Sequence, residues 1–283
     1  MASMRDIKRR RSSISSTQQI TKAMKLVSTV KLQKAKGRAE DVSPYFRAMY
    51  STVCSMLARV GQTEHPYLKE HADGKDVIVT ITSNRGLAGG YNSNIVKLIT
   101  ASGLDTSNTE IIAVGHKGEE LLAHRGYTVS DNYNDVMEAP TYEDAGKICK
   151  QLLTRYSRGE ISRLYLAYTH FKNTVVHEPI LIQLLPVEID EEDVTDTNLL
   201  MNFEPNEEEA LSLIVPKYIT SLIYGALVEA VASENGARMQ AMDSATSNAE
   251  EMISDLTLKY NRARQGSITQ ELTEIIAGAE ALA

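Results

Sequence analysis

The sequence predicts an α/β protein in which a long antiparallel coiled coil of N- and C-terminal helices carries an inserted α/β domain. Three observations predict it. Both ends of the chain are long stretches poor in Gly and Pro with apolar residues at helical spacing, and the middle alternates short β-branched runs with helical segments. The C-terminal stretch also holds a seam of alternating three- and four-residue steps, a pattern that requires a partner helix.

The N-terminal helix is assigned to residues 1–58. From Ser3 to Ala58 its only Gly and Pro are Gly37 and Pro44, and apolar residues recur at Met4, Ile7, Ile14, Ile20, Met24, Val27 and Val30. Those steps fit a helix better than strands. At about 1.5 Å per residue it runs roughly 80 Å, with Pro44 the expected kink and Gly37 a weak point.

Residues 76–188 form the inserted domain. Strands are expected near Val77–Thr82, Ile111–Val114, Leu164–Thr169 and Pro179–Leu185, and helices around Asn94–Ala101, Lys117–Arg125 and Tyr142–Tyr156. Such alternation gives a mostly parallel sheet covered on both faces. From Glu188 to Glu209 there are ten acidic residues and no basic ones, with short apolar patches at Leu199–Met201 and Phe203. That composition reads as a solvated connector.

Residues 206–283 form the second long helix, interrupted early by Pro216 and lightly by Gly225 and Gly236. From Lys217 to Ala281 it spans close to 100 Å at about 1.5 Å per residue. Met239, Met242, Thr246, Ala249, Ile253, Leu256, Tyr260 and Ala263 set its seam. Only the N-terminal helix is long enough to be the partner, so the two ends of the chain are expected to meet antiparallel.

Composition narrows the function classes. The chain has 283 residues, 42% of them hydrophobic, but no Trp and three Phe, so its core rests on Ile, Leu, Val and Ala. Cys54 and Cys149 stand alone without a CxxC pair, and the six His show neither HExxH nor zinc spacing. Both thiols are expected to be reduced, and no metal or cofactor is expected. No uninterrupted apolar run reaches the roughly 18 residues of a membrane span, and the start lacks a secretory h-region, so the chain is expected to stay where it is made.

Charge is uneven. Residues 1–38 carry eleven Lys/Arg against the single Asp6, while the whole chain is at −7, so the remainder carries −17. Arg5, Lys8, Arg9, Arg10 and Arg11 crowd the positive end of a helix dipole, an arrangement that calls for an anionic partner. A protein or a nucleic acid fits that requirement, and a solvated charged face is the plain alternative.

Catalytic motifs are missing. Ser83 to Asn92 (SNRGLAGGYN) follows a strand and precedes a helix, yet matches neither GxxxxGK[ST] nor GxGxxG, and Val114 to Glu119 (VGHKGE) fails both as well. A strand-to-helix turn is the expected reading of each. No GxSxG occurs, and Glu271 with Glu274 on one helical face reads as surface contacts rather than an acid/base pair.

Four stretches resemble the gamma subunit of bacterial F-type ATP synthases. They are Ile20 to Ser28 (ITKAMKLVS), Ser83 to Asn92, Ala237 to Thr246 (ARMQAMDSAT) and Tyr260 to Ala279 (YNRARQGSITQELTEIIAGA), the last with the pattern ITxExxE then GA at Ile268, Thr269, Glu271, Glu274, Gly278 and Ala279. They fall in family order along essentially the whole chain. The resemblance implies a shaft of two terminal helices with a Rossmann-like domain at its foot. The shaft stands within a ring of three alpha and three beta subunits, and the foot joins the epsilon subunit and the membrane c ring.

It further implies a non-catalytic subunit without cofactor, chemistry confined to beta, and a peripheral place on the cytoplasmic face of a bacterial cell membrane. By matching positions, Met24, Arg238, Gln265, Thr269 and Glu271 are implied contacts to beta, and Glu204 to the c ring; an acidic loop of beta would meet the basic residues 1–38. The chain departs from the pattern at Asp243, where Lys is usual, at Asn84, where Asp is usual, and at Leu26, where Met is usual. It lacks the cysteine-bearing insertion of chloroplast relatives, so thiol regulation is not expected. The alternative, a nucleic-acid-binding or scaffold coiled-coil protein with an α/β head, explains the basic helix but not the matched C-terminal stretch.

Overall fold

A computed structural model describes residues 4–60, 65–187 and 206–280. The chain divides into two compact units, Met1–Ser28 with Met239–Ala283 and Thr29–Arg238. Its elements in order are α1 (Met4–Val60), β1 (Lys75–Ile81), α2 (Tyr91–Ala101), β2 (Thr109–Val114), α3 (His116–Ala123), β3 (Thr128–Asn132), α4 (Tyr142–Ser157), β4 (Ile161–Phe171), β5 (His177–Leu185) and α5 (Glu207–Glu280).

In the unit Thr29–Arg238 the strands form one five-stranded sheet in the order β3-β2-β1-β4-β5. β1 pairs in parallel with β2 and β4, β2 pairs in parallel with β3, and β5 closes the far edge antiparallel to β4. Strand alternation then separates two cores. Val77, Val79 and Ile81 of β1, Ile112 and Val114 of β2 and Leu164 and Leu166 of β4 face one layer, with Ile148 and Leu152 of α4, Ile219 and Ile223 of α5 and Val53 of α1. Ile78, Ile111, Ala113 and Ala167 face the other, under Ile95 and Ile99 of α2 and Leu122 of α3. Each such Ile or Leu contributes about 1.5–3 kcal/mol of hydrophobic burial.

Local chemistry fixes the elements. α4 starts at a capping box, where Thr141 Oγ1 accepts from the Asp144 N–H and Asp144 accepts from the Thr141 N–H. Across β1 and β4, Arg163 donates through Nε and Nη2 to the two oxygens of buried Asp76, both at 2.9 Å. β3 was not expected from the sequence: its Thr-Val-Ser-Asp-Asn is polar because it is an edge strand, its residues alternately exposed and half-buried.

α1 runs as one helix through Gly37 and Pro44, and α5 through Pro216. Part of the expected acidic connector belongs to α5. Glu207, Glu208 and Glu209 form its first turn, where the helix dipole favours anions, and Asn206 Oδ1 accepts from the Glu209 N–H at 2.8 Å. The rest, 188–205 including Glu204, lies outside the described residues.

Gly225 and Gly236 of α5 have a packing reason. A Cβ on Gly225 would lie 2.9 Å from the Phe46 ring of α1, and one on Gly236 2.6 Å from His177 at the start of β5. α5 also contains an 18-residue window apolar enough to cross a membrane, which the reading of uninterrupted runs passed over; more than half of that window is buried within the chain's own fold, as in the core helix of a globular domain.

Candidate functional site

Two constructions stand out, one in each unit. In the unit Met1–Ser28 with Met239–Ala283, α1 and α5 run antiparallel. On α5 the seam positions Met239, Met242, Thr246, Ala249, Ile253, Leu256, Tyr260 and Ala263 are all buried or half-buried, and their neighbours Asp243, Ser247, Glu250 and Leu258 are exposed. On α1 the buried and half-buried positions Met4, Ile7, Arg11, Ile14, Gln18, Thr21, Lys25 and Ser28 keep the same three-four spacing.

The α1 seam therefore turns polar halfway along. Ile20 and Val27, apolar positions expected to share its helical pattern, face outward at 60% and 58% exposure, and Leu26 is likewise exposed. The cross-links show why polar residues serve inside. Thr21 Oγ1 and Thr246 Oγ1 lie 2.8 Å apart in the buried seam, and each hydroxyl also reaches a carbonyl of its own helix, Gln18 O at 3.0 Å and Met242 O at 2.7 Å. Gln18 Nε2 donates to Glu250 Oε1 at 3.0 Å, Lys25 Nζ to Asp243 Oδ1 at 2.6 Å, and the Arg11 guanidinium stacks 5.6 Å above the Tyr260 ring. Asp243 thus has a use within the chain, as the counter-charge of Lys25.

Past Ala263 the pairing ends. From Gln265 to Ala279 every residue but Ser267 is exposed, including Ile268, Leu272, Ile275 and Ile276 at 49–68%. Gln265, Thr269 and Glu271 lie in this stretch; Thr269 Oγ1 donates to Gln265 O at 3.0 Å within the helix. Gln270 Nε2 donates to Glu274 Oε1 at 2.9 Å, so Glu274 is tied along the helix and not to Glu271. Met24 is half-buried on α1.

In the unit Thr29–Arg238, α5 meets the carboxyl ends of β1 and β4. Strand order reverses between these strands, the place where open α/β sheets bind ligands. Here the chain's own helix fills it. Ser233 Oγ donates to Thr169 O at 3.1 Å, Tyr91 Oη to Ala230 O at 3.3 Å, and His170 Nδ1 lies 2.7 Å from Glu229 Oε2.

The glycine turn after β1 is held from both sides. Asn92 Oδ1 accepts from the Ser83 N–H at 3.0 Å, Ser83 Oγ donates to Arg85 O at 2.7 Å, and Asn84 donates to Asn134 O while accepting from the His116 N–H. That last pair requires an amide, since a carboxylate cannot donate, and accounts for Asn at 84. From α5, Arg238 Nη1 donates to Glu234 Oε1 at 2.7 Å and Nη2 to Arg85 O and Gly86 O at 3.3 and 3.4 Å. Burial pushes the Glu234 carboxyl up, and the Arg238 charge opposes that shift. Arg238 is half-buried and bonds to Glu234 and to the turn after β1 within its own unit, which residue type and spacing alone could not reveal.

Among the described residues no three His, Cys, Asp or Glu side chains are grouped to hold a metal ion. Cys54 and Cys149 are buried and form no disulfide, and burial pushes the Cys149 thiol up to about 11, away from reactivity at neutral pH.

Residues 3–282 match the model of the ATP synthase family. The chain is 62% identical over 290 residues to the ATP synthase gamma chain of Lachnoclostridium phytofermentans, with 100% of both chains covered. It is 37% identical over 297 residues to the sodium ion specific ATP synthase gamma chain of Acetobacterium woodii, covering 99% of this chain and 98% of that one. A chain in the Euglena gracilis mitochondrial ATP synthase (OSCP, F1 and c-ring) shares the fold, with a TM-score of 0.71 at 20% identity, covering 99% and 94% of the two chains.

Proposed function

The chain belongs to the ATP synthase gamma-chain family, and from that premise we propose that it is the rotor shaft that carries rotation between the membrane c ring and the catalytic sites of an alpha/beta hexamer. The observation that carries the reading is the bare end of α5. A helix that leaves Ile268, Leu272, Ile275 and Ile276 unpaired in one chain requires a surrounding that meets it on every side, and a collar of alpha and beta subunits is such a surrounding.

The physics of the role is population shift. A contact can change a conformational equilibrium only through differential interaction with the competing states. A helix pair without threefold symmetry, placed in a pseudo-threefold ring, contacts each beta subunit differently and so holds each catalytic site in a different state. Turning it exchanges those states, and the chain supplies coupling free energy rather than chemistry. Met24, Arg238, Gln265, Thr269 and Glu271 are the proposed contacts to beta, and Glu204 the proposed contact to the c ring. The basic residues at the start of α1 supply cations for an acidic loop of beta.

The coupled ion is a proton or sodium, the place the cytoplasmic face of a bacterial membrane, and the further partner the epsilon subunit. The named relatives are ATP synthase subunits, which removes the support for a nucleic-acid role of the basic helix. Mixing purified alpha and beta subunits with this chain tests the reading: a stable ATP-hydrolysing complex is expected, with no turnover by the chain alone. Turnover by the chain freed of beta, or failure to assemble, overturns it.

A further inference from the structure

The hairpin of β4 and β5 ends against α5 in a seat built around one imidazole. Phe171 and His177 are the last facing pair of the two strands, with ring centroids 5.8 Å apart. The His177 ring lies so close to Gly236 of α5 that a Cβ there would sit 2.6 Å from Cε1 and 2.9 Å from Nε2. Only glycine leaves room for the ring, and Thr174 O from the hairpin's turn approaches the same spot.

Both ring nitrogens of His177 are buried, and neither has a hydrogen-bond partner among the described residues. A proton added there places a charge in a dry site without a counter-ion. Burial accordingly holds His177 below its ordinary value of 6.5, with the Thr174 backbone opposing the shift. The ionisable groups on the elements around it are committed elsewhere. His170 of β4 pairs with Glu229 of α5 at 2.7 Å, Glu234 of α5 with Arg238 at 2.7 Å, and Lys172 of the turn with Glu178 of β5 at 3.1 Å.

The rest of the hairpin decides what moves. Below the tip, Ser233 Oγ and Glu229 hold Thr169 O and His170 to α5, and protonation of His170 strengthens its bond to a carboxylate. The turn is closed by its own bonds: Asn173 Oδ1 accepts from the Val175 and Val176 N–H groups at 2.9 and 2.8 Å, and the Asn173 N–H donates to Val176 O at 3.3 Å. The tip can therefore leave α5 as a preformed piece while the base of the hairpin stays bound.

We propose that His177 is an acid-released latch: as neutral imidazole it seats the tip of the β4–β5 hairpin on α5 at Gly236, and as imidazolium it leaves that seat and frees the tip. The device goes beyond the rotor reading and does not depend on it. The latch is fully closed above the ordinary value of 6.5. It loosens as pH falls from there through the lower value of the seated ring, because the freed ring takes up a proton more readily.

Amide hydrogen exchange of the full chain, corrected for the intrinsic effect of pH, tests this between about pH 7.5 and 5. Exchange is read at 172–178, with 77–81 of β1 as the control. In the wild type, exchange at 172–178 is expected to quicken by up to about tenfold per pH unit below 6.5, with 77–81 unchanged. His177→Phe keeps a flat ring without a titrating nitrogen and is expected to lose the acid response. Gly236→Ala unseats the ring, so exchange at 172–178 is expected to be fast already at neutral pH. Exchange in the wild type that ignores pH, an equal response at 77–81, the same acid response in His177→Phe, or wild-type exchange in Gly236→Ala overturns the proposal. Should a variant fail to fold, the Cε1 proton of His177 followed by NMR in the wild type decides: a midpoint below 6.5 is expected, and one at or above 6.5 overturns the latch.

Discussion

The hydroxyls of Thr21 and Thr246 meet at 2.8 Å inside the seam between α1 and α5, a polar contact at the position where a coiled coil ordinarily places aliphatic side chains. A directed bond at that level ties the two helices in one register. Replacing Thr21 by Val leaves the Thr246 hydroxyl without its partner across the seam and is expected to cost about 1 kcal/mol, whereas Thr21→Val with Thr246→Val removes both partners and is near neutral. Urea unfolding of the single and double variants checks this; equal losses in both would mean that the bond carries no stability.

Leu256 sits at 8% exposure in the same seam. Leu256→Asp places an unpaired charge between the helices and is expected to cost about 4 kcal/mol, with loss of assembly. Unchanged thermal unfolding and assembly would show that residues 239–263 do not carry the pairing.

These positions show what was legible before the structure. The α5 seam was readable because its eight positions alternate three and four without a gap, and all of them are buried or half-buried. The α1 seam was not, because it turns to Gln18, Thr21, Lys25 and Ser28 while Ile20 and Val27 face out, so hydrophobicity alone gives the wrong phase there; continuing the heptad from Met4, Ile7 and Ile14 gives the right one. Four strands of the sheet carried β-branched runs, and the polar edge strand β3 did not. The bonding of Arg238 depends on the turn that α5 lies against, a contact between residues 153 apart in sequence.

Asp243 and Lys25 form an exposed pair, at 56% and 39% side-chain exposure, so its worth is small and sensitive to salt. Asp243→Lys is expected to cost up to about 1 kcal/mol at low salt, and the cost should shrink at high salt. Adding Lys25→Glu should return the loss. A penalty that ignores ionic strength would assign the effect to packing instead.

The Cys149 thiol, with its pKa pushed to about 11 by burial, is expected to resist alkylation at pH 8 until the chain is unfolded. The sign for stability follows from the same shift. The contribution is full below the ordinary value of 9.0 and is lost as pH rises from there through about 11, because only the unfolded chain ionises readily. Mass spectrometry after iodoacetamide treatment, native against denatured, reads the first; fast native labelling of Cys149 would contradict its burial.

Gln265, Thr269 and Glu271 are exposed and make no side-chain contact beyond their own helix among the bonds described. Replacing all three by Ala should leave the chain's stability within about 0.5 kcal/mol, as surface changes to a good helix former do. In the reconstituted complex the same triple change should lower ATP-driven pumping relative to hydrolysis, each lost polar contact being worth about 0.5–3 kcal/mol. Wild-type hydrolysis and coupling together would make these residues bystanders.

Rotation itself is the most direct test of a shaft. Lys97 is exposed on α2, and a bead attached at Lys97→Cys in a surface-held complex of this chain with alpha and beta subunits reports the chain's angle, since both native thiols are buried. The account predicts that ATP drives the bead in one direction, pausing at three orientations set by the three beta subunits. Steady ATP hydrolysis by the same complex with a bead that stays still, or wanders without direction, would contradict it.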